Sequence, residues 1–243
     1  MKMKIDTSYR TDYSNGKDPD AIDSILRDYH QLLWSKSLPC GKMFDLQTNE
    51  NKPYRLFHES DLGSFSLSSD AITHTFTFWD KKPWKRISEV VKDVPQEDID
   101  AFFDLGCTIG SYIIFPANQI NMNTTINQER GTHPNLLDRF DFTLECIRRW
   151  YIGERSPLIY CLNRYSDFFR LFSDFKGYVE FFLLDDLVDE NKEQVSFWLP
   201  FKEFGITPPL PKDADEYKIY MENASNFIKA RNKRIDEAIN YEE

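Results

Sequence analysis

Apolar residues recur at steps of three and four between Pro134 and Gly153, the spacing that places them on one side of an α-helix. They are Leu137, Phe140, Leu144, Ile147 and Tyr151. Charged residues recur at the same steps on another side of this helix. They are Asp138, Asp141, Glu145 and Arg148. We therefore predict a central helix that starts at about Pro134, ends at Gly153 and has one apolar and one charged face.

The same spacing predicts helices on both sides of the central one. They cover approximately residues 20–36, 84–92, 95–105, 156–172, 174–188 and 214–240. The first of them contains His30 beside its apolar stripe, and we assign this histidine no functional role. The amide-rich segment 118–131 is typical of a loop.

Alternation and aromatic content predict short strands over residues 54–58, 65–67 and 75–78. The apolar run before Pro116 predicts a buried strand over 111–115, and 194–199 is a further predicted strand. A polar patch surrounds one end of the second strand. It consists of Ser64, Ser66, Ser68, Ser69 and Asp70.

These elements predict an α+β fold in which a small, mainly antiparallel sheet packs on a dominant, aromatic-rich helical half. Aromatic residues make up 15% of the chain, and only 9 of its 243 residues are glycine, a composition that favours a packed, helix-rich interior. We expect one globular domain over residues 1–243. Within it, residues 1–19 form an irregular segment, and a proline-rich connector, 200–213, leads to the C-terminal helix.

Charge and cysteine usage exclude several classes of function. The net charge of −10 argues against bulk binding of nucleic acid, which depends on an excess of basic residues. The longest apolar run, 181–184, is too short to cross a bilayer, so we expect no membrane association. The four cysteines and four histidines are scattered without metal-ligand spacing. We therefore expect no metal site of this kind and a cytoplasmic protein.

The candidate chemistry lies on the charged face of the central helix. Asp141 and Glu145 are one helical turn apart and could share a cation or a proton, which makes them the candidate catalytic residues. Arginine, but no lysine, occurs between residues 130 and 170, and arginine is preferred where a planar fork meets a phosphate or carboxylate. The candidate ligand-binding residues are Arg130, Arg139, Arg148 and Arg149. They form either an anion-binding site or a buried ionic network.

The cofactor is unknown from the sequence. The adjacent residues Asp185 and Asp186 could bind Mg²⁺ beside a substrate phosphate. Solvation at the end of a helix is the simpler interpretation.

Several motifs resemble an uncharacterised family of bacterial proteins that is known only as a domain of unknown function. They are Leu67–Asp70, Ile109–Pro116, Thr124–Asn127, Arg130–Gly131, Asp138–Arg149, Ser156–Leu158, Arg164–Tyr165 and Asp174–Val179. The resemblance covers residues 55–190 and implies no activity.

Two functions follow from these observations. The first is a non-catalytic protein that binds another protein, such as a component of a defence or anti-defence system in bacteria or phages. The acidic surface and the charged C-terminal helix favour it. The second is an enzyme or sensor that binds an anionic, phosphate-bearing small molecule through the arginines, with Asp141 and Glu145 in acid–base or metal-assisted chemistry.

Overall fold

The computed structural model describes residues 4–12, 19–49, 52–73 and 82–240, and it confirms the predicted α+β class. The helices of this part of the chain are α1 (Pro19–Ile22), α2 (Ser24–Trp34), α3 (Lys82–Val91), α4 (Gln96–Gly106), α5 (Ile126–Thr132), α6 (Phe140–Tyr151), α7 (Ile159–Arg164), α8 (Ser166–Arg170), α9 (Phe175–Phe181) and α10 (Ala214–Asn240). Short 3₁₀ turns cover Ile109–Ser111 and Asp185–Leu187.

The strands form two antiparallel sheets. They are β1 (Lys36–Ser37), β2 (Met43–Phe44), β3 (Gln47–Asn49), β4 (Lys52–Ser60), β5 (Gly63–Ala71) and β6 (Tyr112–Pro116). β1 pairs with β2, and the larger sheet has the order β3-β4-β5-β6. The predicted strands over 54–58, 65–67 and 111–115 are confirmed, whereas 75–78 lies outside the described residues. The predicted strand over 194–199 is wrong, because only an isolated bridge joins Val188 to Val195 there.

The helix predicted over 20–36 is divided at Asp23. The Asp23 carboxylate accepts a hydrogen bond from Leu26 N at 3.0 Å and so forms the N-cap of α2. The break turns two residues of the expected apolar stripe outwards, since Ile22 and Ile25 are exposed. The helices expected over 156–172 and 174–188 are likewise shorter and interrupted.

The region before the central helix also differs from expectation. Residues 126–132 form helix α5 within the predicted loop, and Thr125 and Gln128 make a capping box at its start. The central helix α6 begins at Phe140 and not at Pro134, because Leu137 and Asp138 have φ values of 42° and 67°. This left-handed backbone cannot belong to a right-handed helix.

The long helix α10, whose thin apolar stripe predicted packing on the body of the protein or on a partner, packs into the core. Its expected apolar residues are all buried: Tyr217, Tyr220, Ala224, Phe227, Ile228 and Ile235. Arg231 lies on the same buried face and donates to the backbone carbonyls of Phe182, Gly110 and Tyr112 at 2.7–3.1 Å. These bonds join α10 to the start of β6 and to the end of α9.

None of the helices in the described ranges has the length and apolar character needed to cross a bilayer.

Candidate functional site

Arg139 and Asp141 form a sealed ion pair, here called the Arg139 pair. Arg139 Nε donates to Asp141 Oδ1 at 2.7 Å, and Arg139 Nη2 donates to Asp141 Oδ2. Arg139 Nη1 donates to the carbonyl of Pro209 at 3.0 Å, and Trp198 N donates to Asp141 Oδ2 at 3.0 Å. Both side chains are almost inaccessible to solvent, at 1% and 0% exposure. The pair thus joins the start of α6 to the segment before α10.

A second group of charges lies at the other end of α6 and is here called the surface network. Arg148 Nε donates to Glu145 Oε2, and Arg149 Nε donates to Glu145 Oε1, both at 2.7 Å. Arg149 Nη1 also donates to Glu203 Oε1 at 2.8 Å. Glu203 is 46% exposed, so this end of the network meets solvent.

The two predicted catalytic residues are therefore not brought together. Asp141 has Arg139 as its partner, and Glu145 has Arg148 and Arg149. Each of the four predicted ligand-binding arginines contacts at least one carboxylate. For Arg130 and Arg139, which are fully buried, this geometry matches the alternative of a buried ionic network.

Arg130 belongs to a third group, here called the Asp70 network, which consists of Asp70, Arg130 and Asp138. Arg130 Nη1 donates to Asp70 Oδ2 at 2.6 Å and lies 3.0 Å from Asp138 Oδ1. The guanidinium makes three further hydrogen bonds, to the hydroxyl of Thr143 and to the carbonyls of Ala71 and Asp138. Two carboxylates from different elements thus converge on one arginine.

The Asp138 carboxylate has spare hydrogen-bonding capacity. Its Oδ1 atom is buried and touches Arg130, but the contact lacks the geometry of a hydrogen bond. The left-handed backbone at Leu137 and Asp138 costs on the order of 1 kcal/mol or more per residue. Such strain is typical of functional sites, and here it directs Asp138 towards Arg130.

Asp70 has a perturbed acidity. Burial raises the pKa of its carboxyl, Arg130 lowers it, and the nearby charge of Asp138 raises it, with the result that the pKa rises from the ordinary 3.8 to about 7. A carboxyl group that titrates near neutral pH can both take up and release a proton under physiological conditions.

Asp70 and Asp138, the two carboxylates of the Asp70 network, line a cleft of about 800 Å³, here called the Asp70 cleft. The remaining walls include Ser68 and Ser69 on β5, and Asn127 and Gln128 at the start of α5. The cleft lies where the β4–β5 ladder stops, at the pair Leu56–Leu67. Beyond that point, Ser69 N donates to Asp20 of α1 at 2.9 Å.

A buried chain of side chains reaches the cleft from α2. Trp34 Nε1 lies 3.0 Å from His30 Nδ1, and His30 Nε2 lies 2.8 Å from Ser69 Oγ. His30 and Trp34 are fully buried, while Ser69 is half-buried. His30, to which the sequence suggested no role, is thus in direct contact with a residue of the cleft.

The structure also places the remaining acidic candidates. Asp185 pairs with Lys192, and Asp186 pairs with Arg234. Over the ranges that the structure describes, no group of three or more His, Cys, Asp or Glu side chains could hold a metal ion.

The sequence reasoning did not select Ser69, Asp70, Asp138 or His30 as site residues. A signal for three of them was present, because Ser69, Asp70 and Asp138 lie in the segments that carry the family resemblance. His30 lies outside those segments.

The fold and the cleft define a mixed α+β protein with a buried carboxylate–arginine network beside an open cleft. The family comparison is more specific: the chain belongs to the family of unknown function DUF6994, whose profile matches residues 3–235. This confirms the resemblance to a family of unknown function and extends it over nearly the whole chain. No curated protein matches the chain, and no solved structure does.

Proposed function

We propose that the protein binds a small polar molecule in the Asp70 cleft and that Asp70 exchanges a proton with it, either in catalysis or as a proton-linked sensor. The observation that carries this proposal is the position of Asp70 and Asp138 in the wall of the cleft. The volume of about 800 Å³ is in the range of small-molecule sites, roughly 300–1,000 Å³.

The chemistry of the two carboxylates supports the proton-exchange part. A group with a pKa of about 7 is well matched to general acid–base work at neutral pH. The unbonded Oδ1 of Asp138 supplies an acceptor for a ligand hydroxyl or amine. Arg130 stabilises both carboxylates and has four hydrogen bonds of its own, so its part is to position them.

A thermal-shift screen tests the proposal. The panel contains neutral hydroxyl compounds, amines, nucleotides and Mg²⁺, and the proteins are wild type, Asp70→Asn and the exposed control Asp93→Asn. A ligand at about 100 times its dissociation constant adds roughly 2.7 kcal/mol to the stability of the folded state. We expect a shift that survives in Asp93→Asn and is lost in Asp70→Asn. A ligand whose shift is unchanged in Asp70→Asn would place its site elsewhere and contradict the proposal.

The nucleotides in the panel also test the anionic, phosphate-bearing ligand that the arginine-rich segment predicts. Arg148 and Arg149 are partly exposed, at 19% and 14%, and an anion could replace the exposed carboxylate of Glu203. A nucleotide shift that is lost in Arg148→Ala and kept in Asp70→Asn would assign anion binding to the surface network.

The screen contains a reducing agent, because the four cysteines are free thiols and three of them are buried. Reduced cysteines support the expected cytoplasmic location.

Protein binding is the second candidate function, and a different observation favours it. Ile152, directly after α6, is 53% exposed, and Tyr160, within α7, is 82% exposed. Exposed apolar side chains that form a contiguous patch mark protein contacts, and these two are the candidates for such a patch. A defence-related partner would fit this role. Affinity capture with wild type and Tyr160→Ser, followed by reconstitution with the purified partner, tests it. A partner retained equally by both proteins would exclude this surface.

A further inference from the structure

The chain Trp34–His30–Ser69 determines where the proton of His30 lies. An indole N–H is only a donor, so Trp34 Nε1 donates to His30 Nδ1, which must carry the lone pair. A neutral imidazole has one proton, and it therefore lies on Nε2. His30 Nε2 then donates to Ser69 Oγ over 2.8 Å.

The imidazole stays neutral. Burial, together with the positive charge of Arg231, lowers the pKa of His30 to about 3. His30 therefore has no lone pair available for the Ser69 proton. The contact has the components of a serine nucleophile and its base, but its polarity is the reverse of the one that activation requires.

The proton of the Ser69 hydroxyl needs a different acceptor. Within the part of the chain that the structure describes, Ser69 Oγ has His30 as its single hydrogen-bond partner, and that bond uses it as an acceptor. Ser69 lines the Asp70 cleft. An oxygen of a bound molecule in the cleft would supply the acceptor.

The cleft presents groups of both charge signs together with side-chain amides. They are Asp70, Asp138, Arg55, Gln119, Asn127 and Gln128. The unbonded Asp138 Oδ1 favours a donor on the ligand, because a carboxylate oxygen accepts hydrogen bonds. The hydrogen bonds of Arg130 go to Asp70, to two carbonyls and to Thr143. Neighbouring hydroxyl groups are the simplest chemistry that accepts at one oxygen and donates at the next.

We propose that Ser69 is a hydrogen-bond donor to the ligand, oriented by His30, and that the ligand is a neutral, hydroxyl-rich molecule of the sugar or polyol class. This inference rests on the proposed function of the Asp70 cleft. Ser69 is a binding residue in it, and His30 is a positioning residue.

The orientation of Ser69 can be tested without any ligand. Long-range ¹H–¹⁵N correlation spectra of protein labelled at histidine distinguish the two neutral tautomers, and the His30→Gln variant assigns the signal. We expect His30 to carry its proton on Nε2 from pH 5 to pH 8. A proton on Nδ1, or a histidine that becomes charged in this range, would overturn the assignment.

The ligand class is tested by titrating ribose, glucose and inositol, their monophosphates, and spermidine. The proteins are wild type, Ser69→Ala, Ser69→Thr, His30→Gln, Asp70→Asn and the same-strand control Ser66→Ala. We expect the neutral compounds to bind and Ser69→Ala to weaken binding about tenfold, the equivalent of one hydrogen bond. Ser69→Thr and Ser66→Ala should bind with the wild-type affinity. His30→Gln should keep much of that affinity, because the Gln amide can donate to Ser69.

The outcomes separate the two proposals. If only the phosphates or spermidine bind, and Asp70→Asn abolishes that binding, the cleft is a site but the ligand class is wrong. If no compound binds in a way that depends on Asp70, the panel contradicts both proposals. Equal affinity in Ser69→Ala and wild type would remove Ser69 from the site.

Discussion

The Arg139 pair and the Asp70 network are both buried arginine–carboxylate clusters, yet they differ in solvent access and in the ratio of carboxylates to arginines. In the Arg139 pair, one guanidinium faces one carboxylate in a two-point contact that no solvent reaches. In the Asp70 network, two carboxylates share one buried guanidinium, and both carboxylates line a cleft. The first arrangement joins elements of the fold. The second leaves one negative charge without its own counter-charge.

This difference teaches how the same residue types acquire different chemistry. A second carboxylate near the same arginine favours protonation of one of the two. The raised pKa of Asp70 follows first from burial and then from the nearby charge of Asp138, which together outweigh the lowering by Arg130. Burial alone therefore does not identify a structural ion pair. The ratio of charges and the access to a cleft separate the two kinds of cluster.

The largest effect is expected from Asp141→Asn, which breaks the Arg139 pair. The variant leaves the charge of Arg139 buried without a carboxylate, and losing one partner of such a pair costs about 3–5 kcal/mol. Urea denaturation should show this decrease in the free energy of unfolding. A loss below about 1 kcal/mol would mean that the pair contributes no more than a surface contact.

A smaller and pH-dependent effect is expected from Asp70→Asn. Asp70 has a pKa of about 7 in the folded protein against an ordinary 3.8, so between these values the folded state holds a proton that the unfolded chain has lost. The contribution of Asp70 to stability is therefore greatest below about pH 4 and decreases as the pH rises towards 7. The free energy of unfolding of Asp70→Asn, relative to that of wild type, should therefore increase by on the order of 1 kcal/mol or more as the pH rises from 5 to 8.

Urea denaturation of both proteins at the two pH values measures this gain. His30 has the opposite dependence, since its pKa is lowered from 6.5 to about 3 and its contribution falls as the pH drops below 6.5. It is present in both proteins, so it cancels in the difference. A variant that is destabilised as strongly as Asp141→Asn at both pH values would make the Asp70 network a second structural pair.

The smallest effect is expected from Glu203→Gln at the surface network. Glu203 is 46% exposed, and exposed ion pairs contribute roughly 0.2–1 kcal/mol. The loss should shrink further at high salt, because solvent ions screen an exposed pair. Unfolding measured at low and high ionic strength checks this. A salt-independent loss as large as that of Asp141→Asn would place Glu203 with the sealed contacts.

The sequence pattern predicted an element well where the residues of that element alone determine its structure. The apolar stripe of α10 predicted both its bounds and its buried face, alternation predicted β4 and β5, and the apolar run before Pro116 predicted β6. It failed where a side chain or a backbone angle interrupts a regular pattern. The Asp23 cap divides the first predicted helix, and the left-handed residues Leu137 and Asp138 delay the start of α6.

The candidate site shows even more clearly the difference between what the sequence predicted and what it did not. The arginine-rich segment was visible in the sequence, but the partners of its charges were not. Asp70 and Arg130 are 60 positions apart, and His30 and Ser69 are 39 apart. Helical spacing instead grouped Asp141 with Glu145, whose side chains take separate arginines.

The sequence by itself determined the α+β class, most of the helices, three strands and the membership of a family of unknown function. Periodicity and motifs are local properties of the chain, and they survive without knowledge of the fold. Only the tertiary structure decided which carboxylate meets which guanidinium, which of these groups line a cleft, and which nitrogen of His30 carries the proton. Those properties depend on contacts between distant elements and on the loss of solvent around them, and neither is set by neighbours along the chain.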